Sequence, residues 1–148
     1  MMIRRTDGND SDLIALVSQS DAFYRQMFGK AMDYFDQFNT IDTIEHAVVI
    51  YQNDVPVACG CIRQHDATAA EIKRMHVLPS HRNAGLAAEV LAALEGWAKE
   101  LGFASTVLET SKALVPAVHL YQKHGYRTTE KWGPYVDVEM SVCMRKDL

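Results

Sequence analysis

The sequence of 148 residues is 48% hydrophobic and carries a formal net charge of −4, values typical of one domain with a single continuous core. Acidic and basic residues are interspersed along the chain, so no basic patch suits a nucleic-acid backbone, and we expect no nucleic-acid partner. No stretch approaches the roughly 20 apolar residues of a membrane span, and the polar start does not resemble a secretion signal. We therefore expect a single domain over residues 1–148, located in the cytoplasm and without a membrane partner.

Helical and extended hydrophobic periods alternate along the chain, which predicts a mixed α/β domain. A short apolar-basic segment, Ile3 to Arg5, opens the sequence, and Asp10-Ser11-Asp12 then offers N-cap residues for a first helix. The aromatic segment from Phe23 to Phe38 predicts a second, short helix. Its aromatic side chains are compatible with simple core packing.

Two apolar segments, residues 46–51 and 55–62, flank Gln52-Asn53-Asp54 and predict a β-hairpin. The second segment contains Cys59 and Cys61, which are too close for an ordinary disulfide on an extended strand. A zinc site usually needs a second pair of ligands, and only Cys143 and scattered histidines remain. We therefore expect small strand residues in a reducing compartment, and no metal.

A third strand is predicted from Glu71 to Leu78, where Pro79 ends it, and it leads directly into a glycine-containing turn. After the turn, apolar residues recur at the spacing of an amphipathic helix, which Gly102 ends. These residues are Leu86, Val90, Leu94, Trp97 and Leu101.

The last third of the sequence predicts a buried strand at residues 104–110 and a helix that begins near Pro116 and ends at Gly125. Residues 126–129 and 136–144 predict two closing strands, joined by a turn at Gly133-Pro134. Strands and helices thus alternate to the end of the sequence.

The turn Arg82-Asn83-Ala84-Gly85-Leu86-Ala87 joins the third strand to the amphipathic helix. Such a junction favours phosphate binding, because unpaired backbone N–H groups and the positive end of the helix dipole face the anion. Gly85 lets the backbone approach closely, Arg82 adds a fixed positive charge, and the small Ala87 keeps the first turn clear of the ligand. A strand-glycine-helix junction is also a common ordinary connection, so the turn alone does not distinguish the two roles.

Two motifs in a definite order resemble the GNAT superfamily of N-acetyltransferases. The acetyl-CoA turn of that family follows the pattern Arg/Gln-x-x-Gly-x-Gly/Ala, which is satisfied by Arg82, Gly85 and Ala87. A later helix in the family reads Ala-x-x-Leu-Tyr followed by Gly-Phe/Tyr, and the matching residues are Ala117, Leu120, Tyr121, Gly125 and Tyr126. The likeness covers roughly residues 46–146 and departs from the family at Asn83, Ala84 and Leu114. Asn83 can adopt the left-handed conformation that such turns use more readily than most residues, so the turn geometry stays accessible. The likeness implies a mixed, mostly antiparallel open sheet flanked by helices.

The resemblance implies acetyl-CoA as co-substrate and direct transfer of the acetyl group to an amine. The turn from Arg82 to Ala87 would hold the pyrophosphate, and the backbone of the strand residues Met75, His76 and Val77 would hold the pantetheine arm.

The family mechanism also needs groups that move protons. The amine must first lose a proton, because an ammonium group with a pKa of about 10.4 has no lone pair. Glu71 is the candidate base, with Glu109 and His76 as alternatives. Tyr121 occupies the family position that protonates the departing thiolate.

The acceptor is left open among small amines, amino acids and peptide amino groups, and a homodimer is compatible with the resemblance. The segment from Phe23 to Asp42 joins aromatic side chains to Asp33, Asp36 and Asp42, which favours a small, positively charged amine. The same residues are compatible with core packing and helix capping.

Two other functions compete with the enzyme. A catalytically silent module of the same fold would bind acyl-CoA or another protein, but the presence of both Glu71 and Tyr121 favours catalysis. A nucleotide-binding domain is excluded, because the sequence lacks both Gly-x-x-x-x-Gly-Lys-Ser/Thr and Gly-x-Gly-x-x-Gly.

Overall fold

The computed structural model of the protein describes residues 1–30, 32, 41 and 43–148. Its strands are β1 (Met2–Thr6), β2 (His46–Gln52), β3 (Val55–Gln64), β4 (Ala69–Val77), β5 (Ser105–Ser111), β6 (Arg127–Thr128) and β7 (Ser141–Asp147). Its α-helices over the described residues are α1 (Ser11–Phe28), α2 (Leu86–Glu100) and α3 (Val115–Lys123). The sheet has the strand order β1-β2-β3-β4-β5-β7-β6.

Strand direction in this sheet is mostly antiparallel. β1 with β2, β2 with β3, β5 with β7, and β6 with β7 are antiparallel pairs, whereas β4 and β5 run parallel. The predicted mixed, mostly antiparallel open sheet with flanking helices is therefore confirmed. Over the described part of the chain, no helix combines the length and the apolar character needed to cross a membrane.

The chain forms two compact units, and the divisions fall before the last residue of β3 and inside β4 and α2. The first unit comprises Met1–Arg63 and Lys73–Leu94, and the second comprises Gln64–Ile72 and Glu95–Leu148. The single domain expected from the sequence stays a prediction.

The core of the first unit lies between α1 and the β2–β3 hairpin. The helix begins as predicted, because the Asp10 carboxylate accepts hydrogen bonds from the N–H groups of Asp12 and Leu13 at 2.8 and 3.3 Å. The predicted hairpin turn is also confirmed, since Asn53 and Asp54 both have positive φ, at 52° and 64°, as tight hairpin turns require. The buried residues of this core are Leu13, Leu16, Val17, Ile44, Ala47, Val49, Tyr51, Cys59 and Cys61.

The opposite face of β3 receives α2 at very short range. A Cβ atom added at Gly60 would lie 2.7 Å from Val90 Cγ1, 2.8 Å from Leu94 Cδ1 and 2.9 Å from Met75 Sδ. These separations are shorter than real packing contacts, so only glycine allows the helix to lie this close to the strand.

The second unit is built around β5. This strand pairs in parallel with β4 over Ala69–Glu71 and antiparallel with β7 over its whole length. The helix α3 follows β5, has Pro116 in its first turn as predicted, and is closed by Gly125 at φ 93°.

Element boundaries near the start of the chain differ in part from those expected. The helix α1 continues without a break through Phe23 to Phe28 and ends at Gly29, where φ is 60°. The second short helix predicted within Phe23–Phe38 stays a prediction, because most of that segment lies outside the described residues. The start at Ile3 to Arg5, given no strand assignment from the sequence, forms β1 and pairs with β2.

The second closing strand begins later than predicted, at Ser141 instead of Val136. A 3₁₀ helix at Gly133–Tyr135 takes up the preceding segment. Local turns continue from it, since the N–H groups of Val138 and Ser141 donate to the carbonyls of Tyr135 and Val138. Backbone donors engaged in such turns are not available to a strand ladder.

Candidate active site

The turn between β4 and α2 has the backbone shape that the sequence predicted. Asn83 and Gly85 adopt left-handed conformations, with φ of 62° and 79°. Asparagine tolerates this region better than most residues, which explains how this chain accommodates Asn83. A Cβ at Gly85 would meet nothing within 4 Å, so the requirement for glycine there is conformational, and the space beside the backbone is open.

The start of α2 presents backbone donors. The Gly85 carbonyl accepts the first helical hydrogen bond from the N–H of Glu89 at 3.1 Å. Within the described ranges, the N–H groups of Asn83, Ala84 and Gly85 donate to no other residue, and those of the first helical turn have no partner inside the helix. Together with the helix dipole, these donors form an anion-binding arrangement.

The Arg82 side chain is directed toward α1. Its Nε donates to the carbonyl of Val77 at 3.3 Å, and its guanidinium carbon lies 5.0 Å from the centre of the Phe23 ring. Arg82 therefore braces the turn against β4 and α1 in addition to placing a positive charge beside it.

The end of β4 contains the three residues expected to hold the pantetheine arm. Met75 faces α2, where its sulfur approaches Gly60, and His76 is buried at 7% exposure. The His76 Nε2 has no hydrogen-bond partner among the described residues. Burial, reinforced by the nearby charge of Arg82, lowers the pKa of His76. The imidazole is therefore neutral at pH 7.

An irregularity in β4 was not predicted from the sequence. Arg74 has a left-handed φ of 59°, which costs roughly 1–2 kcal/mol for a residue other than glycine. Its guanidinium forms an ion pair with Asp21 of α1, and its carbonyl accepts a hydrogen bond from the Cys59 thiol at 3.5 Å. Residue type gave no signal for this conformation, because arginine has no preference for it.

In the second unit, Tyr121 lies on α3 and is buried, with its ring centre 5.8 Å from that of Tyr126 in an edge-to-face arrangement. The Tyr126 hydroxyl is within hydrogen-bond distance of Thr106 on β5 and Glu95 on α2, at 2.7 and 2.8 Å. This network was also missed from the sequence, which had assigned no role to Glu95.

Glu71 on β4 and Glu109 on β5 share one face of these paired strands, opposite to the face of the Thr106 side chain. Thr106 points toward Tyr126, and side chains alternate along a strand, so Val107 and Glu109 point the opposite way. Glu71 shares their face because it pairs with Val107 in the parallel register. The second unit thus places the two candidate bases on the same face of two adjacent strands.

The two carboxylates have different surroundings. Glu71 is buried at 7% exposure, whereas Glu109 is half-buried and accepts a hydrogen bond from the Ser141 hydroxyl at 3.3 Å. Burial first of all, with the charges of Glu109 and Glu71 adding to it, raises the pKa of Cys143, which pairs with Glu109 across the sheet. That thiol therefore stays protonated and is unsuited to act as a nucleophile.

The profile of the Acetyltransferase (GNAT) family matches residues 14–126. The chain belongs to this family. The N-acetyltransferase YjcF of Bacillus subtilis, itself uncharacterized, is 32% identical over 111 residues, which cover 72% of this chain and 76% of the relative. An uncharacterized N-acetyltransferase of Schizosaccharomyces pombe, C1271.07c, is 32% identical over 91 residues, 59% of this chain. The match spans 56% of that yeast relative.

Solved structures of GNAT proteins share the fold over nearly the whole chain. A candidate acyl-CoA N-acyltransferase of Klebsiella pneumoniae superposes with a TM-score of 0.82 at 29% identity, covering 99% of this chain and 97% of the other. A GNAT family acetyltransferase of Elizabethkingia anophelis, solved with acetyl-CoA bound, gives a TM-score of 0.72 at 17% identity, with 99% and 97% coverage. GNAT proteins are acyltransferases whose co-substrate is acetyl-CoA.

One departure of this GNAT chain from the common family pattern lies at the start of α3. Leu114 occupies the N-cap position with φ −94° and ψ 66°, and it makes no side-chain capping bond. Where many members have asparagine, this chain therefore begins the helix without a side-chain acceptor, and Pro116 in the first turn reduces the number of N–H groups that need one.

Proposed function

We propose that the protein is an acetyl-CoA-dependent N-acetyltransferase that moves the acetyl group directly to a primary amine of a small molecule or peptide. The observation that carries the proposal is the conformation of the β4–α2 turn, where Asn83 and Gly85 are left-handed and the backbone donors remain available. An ordinary connection between a strand and a helix does not need two left-handed residues.

The residues of the first unit hold the co-substrate. The N–H groups from Asn83 to Ala87 bind the pyrophosphate, and the backbone of Met75, His76 and Val77 binds the pantetheine arm. The left-handed Arg74 directly precedes these three residues and supports this role, because backbone strain of this kind is concentrated at ligand-binding and active sites.

Residues of the second unit move the protons. Glu71 accepts a proton from the ammonium group of the acceptor, directly or through water, so that the nitrogen gains a lone pair. The amine nitrogen then forms a bond to the acetyl carbon while the carbon–sulfur bond breaks. Tyr121 donates its proton to the departing thiolate, and the second proton lost by the nitrogen as the amide forms returns to the tyrosinate through water, so the products are the amide and the free thiol. Glu109 is the alternative base because it shares the face of Glu71.

We further propose a small cationic amine as acceptor. The segment that first suggested this, Phe23 to Asp42, contributes Asp33, Asp36 and Asp42, which lie outside the described residues. Glu71 and Glu109 supply independent support, because two carboxylates on one face of the second unit favour a cation. A screen of polyamines, amino acids, aminoglycosides and anionic amino sugars tests the class, and preference for an anionic acceptor contradicts it.

The decisive experiment incubates the protein with acetyl-CoA and the amine panel while free thiol release is followed. Thiol release that depends on an amine supports the enzyme. Binding of acetyl-CoA by calorimetry, combined with no thiol release for any amine, supports the silent acyl-CoA-binding module instead. We place the protein in the cytoplasm, since Cys59, Cys61 and Cys143 are all free thiols.

A further inference from the structure

The end of α3 ties Tyr121 to Tyr126 through the backbone. The Tyr126 N–H donates to the Tyr121 carbonyl at 3.0 Å, and the Gly125 N–H donates to the Gln122 carbonyl at 3.1 Å. With Gly125 left-handed at φ 93°, this pair of bonds forms a Schellman cap. The edge-to-face contact of the two tyrosine rings, at 67°, is the side-chain contact that usually accompanies such a cap.

The Tyr126 side chain is itself fixed by partners on three other elements. Glu95 on α2 carries a carboxylate, which only accepts hydrogen bonds, so the Tyr126 hydroxyl must donate its single proton to Glu95. Thr106 on β5 must therefore donate to the Tyr126 oxygen. Lys146 on β7 donates to the second Glu95 oxygen at 3.0 Å. The Tyr126 hydroxyl thus donates to Glu95 and accepts from Thr106, and these two bonds fix the orientation of the ring.

Packing alone does not require this network. A phenylalanine at position 126 would also satisfy the family pattern and would fill the same space without burying a hydroxyl. Burying a tyrosine that must find two partners stabilises the fold only when both bonds are made. Tyr126 is 4% exposed, so its hydroxyl makes both bonds away from water and they hold the ring in place.

We infer that Tyr126, held by Glu95, is a positioning residue for Tyr121. This inference rests on the proposed role of Tyr121 as proton donor. A proton donor acts only when its hydroxyl is placed within hydrogen-bond reach of the reacting atom. The Tyr126 ring lies against the Tyr121 ring and limits the positions that the Tyr121 hydroxyl can reach.

The test replaces Tyr126 with Phe, which keeps the ring and the cap but removes the anchoring hydroxyl. We expect kcat to fall about tenfold, since small misplacements of a reacting group are costly, while KM for acetyl-CoA is unchanged. Glu95→Leu should have the same effect, and Glu95→Gln, which keeps an acceptor oxygen, should restore most of the rate.

Tyr51→Phe is the matched control. Tyr51 is also a buried tyrosine whose hydroxyl donates to a carboxylate, Asp12, at 2.7 Å. Its ring centre lies 5.0 Å from the Arg4 guanidinium carbon, as the Tyr126 ring centre lies 5.9 Å from Lys146 Nζ. The substitution therefore removes the same kind of bond from a residue with no assigned role in the reaction. We expect comparable urea midpoints for Tyr51→Phe and Tyr126→Phe, but a slower kcat only for the latter.

A double-mutant cycle separates positioning from a structural role. In a Tyr121→Phe background, Tyr126→Phe should not slow kcat further, because no hydroxyl remains to be positioned. Rate losses that multiply in the double variant overturn the inference while leaving the proposed function intact.

A readout that does not depend on activity completes the test. In protein labelled with fluorotyrosine, we expect one sharp ¹⁹F resonance for Tyr121, assigned by its loss in Tyr121→Phe, which broadens or splits in Tyr126→Phe and not in Tyr51→Phe. An unchanged Tyr121 resonance overturns the positioning role even if no acceptor is turned over. Absence of thiol release in the wild-type protein, by contrast, counts against the proposed function.

Discussion

The region proposed to bind the co-substrate acts through backbone groups, whereas the region proposed to move protons acts through side chains. The β4–α2 turn presents backbone N–H groups fixed by two left-handed residues, Asn83 and Gly85. The second unit presents functional groups of side chains, namely the Tyr121 phenol and the Glu71 and Glu109 carboxylates. Binding by backbone depends on φ and ψ, whereas proton transfer depends on side-chain chemistry. Substitutions in the two regions should therefore fail in different ways.

The largest expected effect tests the side-chain region. Tyr121→Phe keeps the ring and its contact with Tyr126 but removes the hydroxyl, so kcat should fall by about ten- to a thousandfold. The affinity for acetyl-CoA, measured by calorimetry, should remain unchanged. A variant with wild-type kcat would show that Tyr121 is not the proton donor, and a variant with weakened binding would break the division between the two regions.

The next effect tests the backbone region. In Gly85→Val, a β-branched residue would have to adopt a φ of 79°, and the strain of about 1–3 kcal/mol should weaken acetyl-CoA binding by roughly 5- to 150-fold. Gly102→Val is the control, because Gly102 also has positive φ, at 95°, and also borders open space. Both variants should lose stability in urea, but only Gly85→Val should lose affinity. Equal affinities would remove the main support for the phosphate turn.

A smaller effect, which depends on pH, concerns the base. Glu71→Gln should reduce kcat/KM about tenfold near neutral pH and less as pH rises toward the amine pKa of about 10.4, because the acceptor then loses its proton without help. Glu109→Gln tests the alternative on the same face. Rate profiles that keep the wild-type shape in both variants would leave positioning as the only source of catalysis.

The smallest expected effect concerns His76, whose side chain is not expected to contribute to acetyl-CoA binding. His76→Phe should leave acetyl-CoA affinity unchanged and should raise the free energy of unfolding by about 1 kcal/mol, since an unpartnered buried nitrogen is removed. The effect should grow at acid pH. Because the folded-state pKa of His76 is lowered, the unfolded chain takes up the proton first, and the wild-type protein loses stability as pH falls below about 6.5. Urea unfolding of both proteins from pH 5 to 8 measures this difference.

Sequence patterns predicted those elements whose signal is local. The Asp10 cap, the Asn53-Asp54 turn and the period of α2 each lie within a few residues, and the structure confirms all three. The late start of β7 was missed because the turns after Pro134 compete with the strand ladder for backbone donors.

In the site, too, features with a local sequence signal were predicted and features that depend on distant residues were missed. The left-handed conformation available to Asn83 was predicted from its residue type, and the structure has it. The left-handed Arg74 and the network around Tyr126 were missed, because both depend on partners that are distant in sequence, Asp21 in one case and Glu95 in the other. The roles of Glu71 and Tyr121 stay predictions until the variants are measured.

The close contact at Gly60 affects how variants selected for loss of acetyl-CoA binding should be interpreted. A side chain at Gly60 would meet Val90 and Leu94 of α2 and Met75 of β4, and the helix would have to move outward to admit it. The first turn of that helix carries the donors proposed to bind pyrophosphate. A substitution in the middle of a buried strand would then appear in a genetic screen as an acetyl-CoA binding defect, although residue 60 lies more than twenty positions from the turn in the sequence.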